Sequence, residues 1–535
     1  MGNKHSSKSR EHHSSKKHTA NKPKQIQTLT SAESNQDHNV SPVELANINR
    51  VFQSLKKEVN GVSIIPEETF QVFIGLPKEL NLPHILYGPF CKLPSMLKGA
   101  PQDTTPGLTY DCLKTSAAFY CEQHKDFPTG CKERIGIFFE TLAEPVKEGE
   151  ETQVSFGHIY DVLAGTFWVM KTYFANQLQD TLLGDEPHQP VTVPTYEPAI
   201  ELVVTQLAIY QRKAQKDDKN FSMFSSNELI SRTVFEHFVE RNIPIFLMVW
   251  RAYIYAKVYL SETDGPRVGR HIFGGKDVLP KYNFSSEILK LGDVCMLCCF
   301  LPSSVIQGIT WNTLYNGSEH GYSMNRLETR VFKYPGPTML VAKVFITKVE
   351  GTSRGNLTKG SEMIIGAYIN EPWRFSKQFW GSSECKLFEL SPHFEVFPSN
   401  GRTDSHVYCH SSQGIGFGGK CGKFQLYFDN TFQSGKFVND PLLDNITYTL
   451  SHSRPDFQIE FDVMEIEVIG LGGEQAKKQQ SREWKFEANE ANRRGNVNLA
   501  NKNQSRQILE MAGILDTSAG ELEMMRGQSE EKEIL

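Results

Sequence analysis

No cysteine precedes Cys91 in this 535-residue chain, no apolar run follows its N-terminus, and its body carries no excess of positive charge. Each absence excludes something. Without an apolar h-region the N-terminus does not read as a secretory signal. The most apolar stretch, Ile243 to Leu260, contains Arg251 and Lys257. A membrane span needs about 20 predominantly apolar residues without such charges, so this stretch reads as a buried core helix. The expected setting is therefore intracellular, with the ten cysteines as reduced thiols. The formal charge is −5, and the first 24 residues alone contribute +6, which leaves −11 on the rest. A nucleic-acid binder ordinarily has a basic body. This chain is expected to bind no nucleic acid.

Zinc-ligand spacing is missing too. Cys295, Cys298 and Cys299 stand at i, i+3, i+4 on an apolar helix with no second ligand pair. They read as buried thiols, and no metal is expected. Gly414, Gly416, Gly418 and Gly419 form a glycine-rich loop. A phosphate-binding loop would need a helix N-terminus behind it. Lys423–Asp429 alternates like a strand instead, so the glycines are expected to serve turns and close approach. His320, His393, His406 and His410 lie among the strands, with Asp404 and Ser405 beside one of them. No nucleophile elbow marks a serine, so no hydrolytic triad is expected. No cofactor is called for.

What is present begins at the N-terminus. Met1-Gly2-Asn3-Lys4-His5-Ser6 fits the N-myristoylation pattern, with Gly2 as acceptor. Lys4, Lys8, Arg10, Lys16, Lys17, Lys22 and Lys24 face only Glu11. One acyl chain binds a membrane marginally, and a polybasic patch on an anionic leaflet supplies the second signal at about 1 kcal/mol per basic residue.

Residues 1–43 are too polar to bury a core and read as a disordered membrane-targeting tail. Residues 44–260 carry helical apolar spacing, as in Ile200, Val203, Leu207 and Tyr210. Ser41-Pro42-Val43-Glu44 offers a capping box. Within this region Asn60–Phe70 is similar to the end of an EF-hand loop whose acidic ligands are missing, a calcium-free relic. Residues 261–283 are rich in Gly and charge and read as a linker. From residue 284 to 473 the period changes to that of strands: Met339–Val349, Ile364–Ile369, Lys386–Leu390, His406–His410, Lys423–Asp429 and Phe457–Leu471. The apolar alternation of the last of these slips phase at Val463-Met464, which predicts a β-bulge. Residues 474–535 read as a polar helix and a tail, with Trp484 and Phe486 as the large apolar residues of the helix and an apolar patch at Ile508–Leu515.

Several blocks, in order, resemble the TLDc-domain family. They are Gly321-Tyr-Ser323-Met-Asn-Arg-Leu327, Ile365-Gly366-Ala-Tyr through Trp373, Phe388–Pro392, Gly414–Gly419, Leu426–Asp429 and Ile466–Gly472 with Gly470. The flanks, with Trp484, Arg493, Arg494 and Ile508-Leu-Glu-Met-Ala-Gly513, resemble the fungal "restriction of telomere capping" branch and, more distantly, the animal MTOR-associated branch. The resemblance implies an α+β fold: a helical, degenerate EF-hand-like N-terminal domain, a TLDc β-sandwich with flanking helices, and a C-terminal polar helix. It implies a non-catalytic, monomeric adaptor on the vacuolar or lysosomal membrane. Such an adaptor binds the cytosolic sector of the vacuolar-type proton-pumping ATPase and modulates its assembly in the direction of disassembly. Trp484, Arg493 and Arg494 are then partner-binding candidates. Two alternatives stay open. One is an oxidative-stress-resistance protein with thiol or hydrolytic chemistry, for which Cys409 and Cys421 are the thiols to probe. The other is a lysosomal growth-signalling scaffold.

Overall fold

The computed structural model describes residues 40–98, 107–123, 130–143, 151–183, 197–215, 227–260, 279–281, 285–351, 357–452, 454 and 456–511. Helix α1 (Pro42–Leu55) starts with the capping box read from the sequence. The Glu44 carboxylate accepts from the Ser41 N–H at 2.8 Å, and Ser41 Oγ accepts from the Glu44 N–H at 3.3 Å. Strands β1 (Lys57–Val59) and β2 (Val62–Ile64) form a hairpin. Asn60 and Gly61 both have positive φ, as a two-residue hairpin loop of the I′ type requires.

Helix α2 (Glu67–Ile74) completes a helix–loop–helix. Just before it, Ile65 pairs with Leu108, which lies between α3 (Leu82–Lys98) and α4 (Tyr110–Tyr120). The motif recurs. After α5 (Cys131–Leu142), β3 (Gln153–Ser155) precedes α6 (Phe156–Leu183). After α7 (Pro198–Ala214), β4 (Leu229–Ser231) precedes α8 (Arg232–Asn242), and β3 pairs with β4. The helical lobe is thus four helix–loop–helix units in two pairs, the architecture that the EF-hand-like segment suggested. The carboxylate of Glu67, at the start of α2, contacts His84 Nδ1.

Helix α9 (Phe246–Val258) is the core helix expected in the apolar stretch. Phe246, Val249, Trp250 and Ile254 are buried, and Arg251 reaches outward to Glu122 at 2.5 Å. Among the described residues no helix is long and apolar enough to cross a membrane. Helix α10 (Leu291–Phe300) is buried on all sides, Cys295, Cys298 and Cys299 included, as free thiols. It packs against α6, α7 and α8 on one side, and Phe300 meets Phe388 of the sheet at 5.3 Å on the other. Burial pushes all three thiols up.

After α11 (Ser303–Ile306) come β5 (Asn312–Asn316), α12 (Gly317–His320) and α13 (Met324–Val331). The remaining strands are β6 (Thr338–Glu350), β7 (Glu362–Ile369), β8 (Lys386–Ser391), β9 (Glu395–Pro398), β10 (Val407–His410), β11 (Gly414–Phe417), β12 (Leu426–Phe428), β13 (Ser434–Asn439) and β14 (Phe457–Gly470). All pairings are antiparallel, in the order β10-β11-β12-β13-β14-β6-β7-β8-β9. β14 is the spine: β6 covers one edge, while β13 and β5 share the other. The sheet folds over on itself, so that Phe397 of β9 stacks edge-on against Phe437 of β13 at 5.6 Å. The layers enclose one apolar core. Met339, Val341, Tyr368, Phe388, Val396 and Ile469 point the other way, into the core of the helical lobe. The outer face of the sandwich is therefore part of the helical core. The expected α+β fold is what the structure has, with a helical lobe, a folded-over antiparallel sheet and flanking helices.

The bulge falls where the phase slip placed it. Val463 pairs with Val344 and Glu465 with Lys343, leaving Met464 without a partner and 44% exposed. Phe457, Ile459 and Phe461 before the bulge and Ile466 and Val468 after it all face the same core. One extra residue restores the phase.

Candidate functional site

Gly2 and the basic residues Lys4, Lys8, Arg10, Lys16, Lys17, Lys22 and Lys24 lie outside the described residues, as does most of the linker read at 261–283. The sandwich motif residues do not converge on one place. Gly321 ends α12 at φ +88 with open space where a Cβ would be, so backbone conformation is its requirement. Ser323 caps α13 by accepting from the Arg326 N–H. A Cβ on Gly366 would sit 2.2 Å from the Leu340 carbonyl oxygen and 2.4 Å from the Phe388 ring. Trp373 is buried and donates from Nε1 to Thr338 Oγ1 at 2.8 Å. Gly414, Gly416, Gly418 and Gly419 lie in and after β11 inside an antiparallel meander, against Phe428, Phe424, Gln425 and Lys423 in turn. Gly470 packs on Tyr334. These residues build the sandwich, and no helix follows the glycine loop to hold a phosphate.

The histidines are dispersed. His393 contacts Glu389 at 3.1 Å in a buried cluster, His410 contacts Ser412 Oγ at 3.1 Å within one turn, and His320 accepts from the Asn316 N–H. His406 is 2% exposed; burial lowers its pKa, with Asp404 and Glu371 partly opposing. Of the two thiols to probe, Cys409 is fully buried and burial pushes it up, which removes it as a nucleophile. Cys421 is exposed, 3.9 Å from Gln413 Oε1. Among the described residues no group of three or more His, Cys, Asp or Glu is placed to hold a metal ion.

A buried ion cluster escaped the sequence reading. Arg454 lies between Glu389 and Glu395, all three within 1% of complete burial. Burial alone would raise the Glu389 pKa, but Arg454 and His393 outweigh it and hold the carboxyl below its ordinary range. Arg454 stands about sixty positions from the two glutamates in sequence, and nothing local marks them as partners. The cluster braces β8 and β9 against the segment after β13, and it offers no route for a ligand.

The feature that does reach outward is α14 (Gly473–Met511), a helix of 39 residues. At 1.5 Å per residue it is roughly 58 Å long. Among the described side chains, those that dock it lie in its first turns. Gln480 Nε2 donates to the carbonyls of Arg330 and Phe332 at 2.9 and 3.0 Å, closing the C-terminal end of α13. Trp484 packs on the sandwich core under Lys333, which also pairs with Glu487. Trp484, one of the partner-binding candidates, is thus half-buried and makes an intramolecular contact between α14 and the sandwich. Arg493 and Arg494 are exposed, Arg494 paired with Glu490 at 2.6 Å. Lys477, Lys478, Arg482 and Lys485 line a shallow basic hollow on the docked part. Farther out Phe486, Ile508 and Met511 are 69%, 59% and 81% exposed. A helix polar nearly all round, with isolated apolar side chains in water, presents a surface rather than a core face.

Residues 282–472 match the model of the TLDc domain family. Similar curated proteins include "Restriction of telomere capping protein 5" of Colletotrichum graminicola, 28% identical over 43% of this chain and 44% of that protein. The protein of that name from Vanderwaltozyma polyspora is 30% identical over 42% of this chain and 47% of its own length. That from Neurospora crassa is 26% identical over 44% and 46%. The chain spans about half the length of these curated relatives.

Proposed function

We propose that this TLDc-domain protein is a non-catalytic adaptor that works on the vacuolar or lysosomal membrane. It binds the cytosolic sector of the vacuolar-type proton pump there and favours the separated state of that machine. The observation that carries the reading is α14. It is anchored at one end by Gln480 and Trp484 and projects exposed Arg493, Arg494, Ile508 and Met511 from the other. A stoichiometric binder shifts an assembly equilibrium only by preferring one state, and a projecting helix is a means of reaching a surface exposed in that state. The Gly2 acceptor pattern and the seven basic residues near it support membrane confinement, which raises the effective concentration of two partners without any new contact. The relatives' name speaks of telomere capping; the acidic body of this chain gives direct nucleic-acid contact no support.

The test is affinity capture from vacuolar membranes, with and without ATP, of the full chain, of a chain ending after Glu487, and of Gly2→Ala. Recovery of cytosolic-sector subunits by the full chain and its loss on truncation are expected. Equal recovery by the truncated chain removes α14 from the reading. Unchanged membrane recruitment of Gly2→Ala removes the lipid anchor.

A further inference from the structure

The helical lobe and the sandwich meet along an apolar seam, and at one corner of it the contact is made by rings and charges. His452 lies two residues before Arg454, on the segment that runs along the edge of β9, where Ser399 pairs with Tyr448. Its ring stacks on Tyr210 of α7, with centroids 4.1 Å apart and planes 27° from parallel. His237 of α8 stands 6.3 Å from the same ring. Arg241 of α8 fastens the corner by donating from Nη2 to the Val396 carbonyl at 3.2 Å and to Thr449 Oγ1 at 2.9 Å. Among the described residues the groups facing His452 are therefore Tyr210 and Lys213 from α7, His237 and Arg241 from α8, and Glu395 from β9. Glu395, the one acid among these, accepts from the backbone N–H of His452 and is engaged by Ser451 and Arg454. The imidazole itself has a phenol ring beneath it and basic groups around it.

We propose that this corner is a proton-sensitive clasp between the helical lobe and the sandwich, closed while the His452 ring is neutral on Tyr210 and released when that ring takes up a proton. A charged imidazole here is half desolvated and faces Lys213, Arg241 and His237, and release returns it to water. Burial first, then those three groups, lower the His452 pKa to about 4 in the closed state. Detached, it regains the ordinary histidine value of about 6.5. The closed state binds fewer protons, so the clasp is at full strength above about pH 6.5 and weakens as pH falls toward about 4. Relative to pH 7, the released form gains about threefold at pH 6 and about twentyfold at pH 5. The apolar contacts of Phe394 and Val396 with the helical core lie along the same seam and are indifferent to protons, so release is confined to the α7–α8 corner.

Two measurements on the full chain test the clasp. An NMR titration of the histidine Cε1–H signals, with His452→Phe to assign the resonance, should place His452 well below the ordinary value. A transition near pH 6.5 overturns the proposal without reference to any variant's folding. Hydrogen exchange, normalised for its intrinsic pH dependence, should show peptides spanning 206–213 and 446–452 losing protection between pH 7 and pH 5. His452→Phe keeps the stacked ring and removes the titration, so it should hold that protection constant. Equal loss in the variant and the natural chain also overturns the proposal.

Discussion

Lys333 holds its ammonium 4.2 Å from the centre of the Trp484 ring, and the same lysine pairs with Glu487 one turn further along α14. The contact sets where the docked part of the helix ends and the projecting part begins. Trp484→Ala removes the packed indole and the cation–π contact together, at a cost of about 2 kcal/mol. Urea denaturation should show that loss. Hydrogen exchange should show residues 476–487 losing protection while the strands keep theirs. Unchanged exchange in 476–487 would mean that Gln480 alone docks the helix.

The unpaired Met464 separates two alternations that only a bulge can reconcile. Deleting Met464 removes the extra residue and sends Ile466 and Val468 to the opposite face of β14. Losing two fully buried side chains from the core should cost more than about 4 kcal/mol and leave the chain insoluble or unfolded. Met464→Thr keeps the residue count and should change stability by less than about 0.5 kcal/mol, as for other exposed positions. A deletion that folds with normal stability would show that the register is set elsewhere.

This bulge was legible because it is written in local periodicity, as were α9 and the long strands β6, β7 and β14. Four strands of the sandwich were not. β5, β9, β11 and β13 are four to six residues long and carry Gly, Asn, Pro or Lys at central or flanking positions, so no alternation distinguishes them from turns. They exist because longer neighbours supply the pairing. The glycines of β11 are required where Phe424 and the Phe428 carbonyl come close, and no property of the segment itself shows those neighbours. The Arg454 cluster and the inward turn of Trp484 were hidden for the same reason: each depends on residues about sixty or more than a hundred positions away.

Arg454 is the one arginine shared by two buried carboxylates, and removing it should do more harm than any surface charge change. Arg454→Met leaves Glu389 and Glu395 buried without their cation, at a cost of about 3–5 kcal/mol near neutral pH. The sign with pH follows from the Glu389 shift. In the natural chain its lowered pKa gives stability that is present above the ordinary carboxylate range and lost as pH falls below that range through the lowered value. In the variant, burial acts unopposed by arginine and the folded state takes up protons more readily. The gap between variant and natural chain should therefore narrow as pH falls from 7 toward 4. Denaturation curves across that range check it, and a gap that widens on acidification would contradict the assignment.

Gly366 should tolerate no side chain. An added Cβ meets the Leu340 carbonyl across the ladder and the Phe388 ring on the seam with the helical lobe. Gly366→Ala must displace one of them, for about 2–3 kcal/mol or more. Gly360, with open space around its Cβ position, carries only the penalty of its positive φ, so Gly360→Ala should cost about 1 kcal/mol. Thermal melts of the two variants should separate accordingly, and equal losses would mean that β6 and β7 can spread without affecting the helical lobe.

The last prediction concerns the free end of α14, where stability and binding should come apart. Ile508 and Met511 are 59% and 81% exposed and support no core, so Ile508→Asp with Met511→Asp should leave unfolding of the whole chain within about 0.5 kcal/mol of normal. If these side chains enter an apolar recess on a partner, two new carboxylates at its mouth remove that burial and add a desolvation cost. Affinity should then fall at least tenfold, corresponding to about 1.4 kcal/mol or more. Binding of the purified double variant to the isolated cytosolic sector of the pump, beside Arg493→Ala with Arg494→Ala, separates the two kinds of contact. A loss that salt does not relieve belongs to the apolar tip, and a salt-sensitive loss belongs to the arginines. Normal binding by both variants would place the contact on the basic hollow around Lys478 and Arg482, or off this helix altogether.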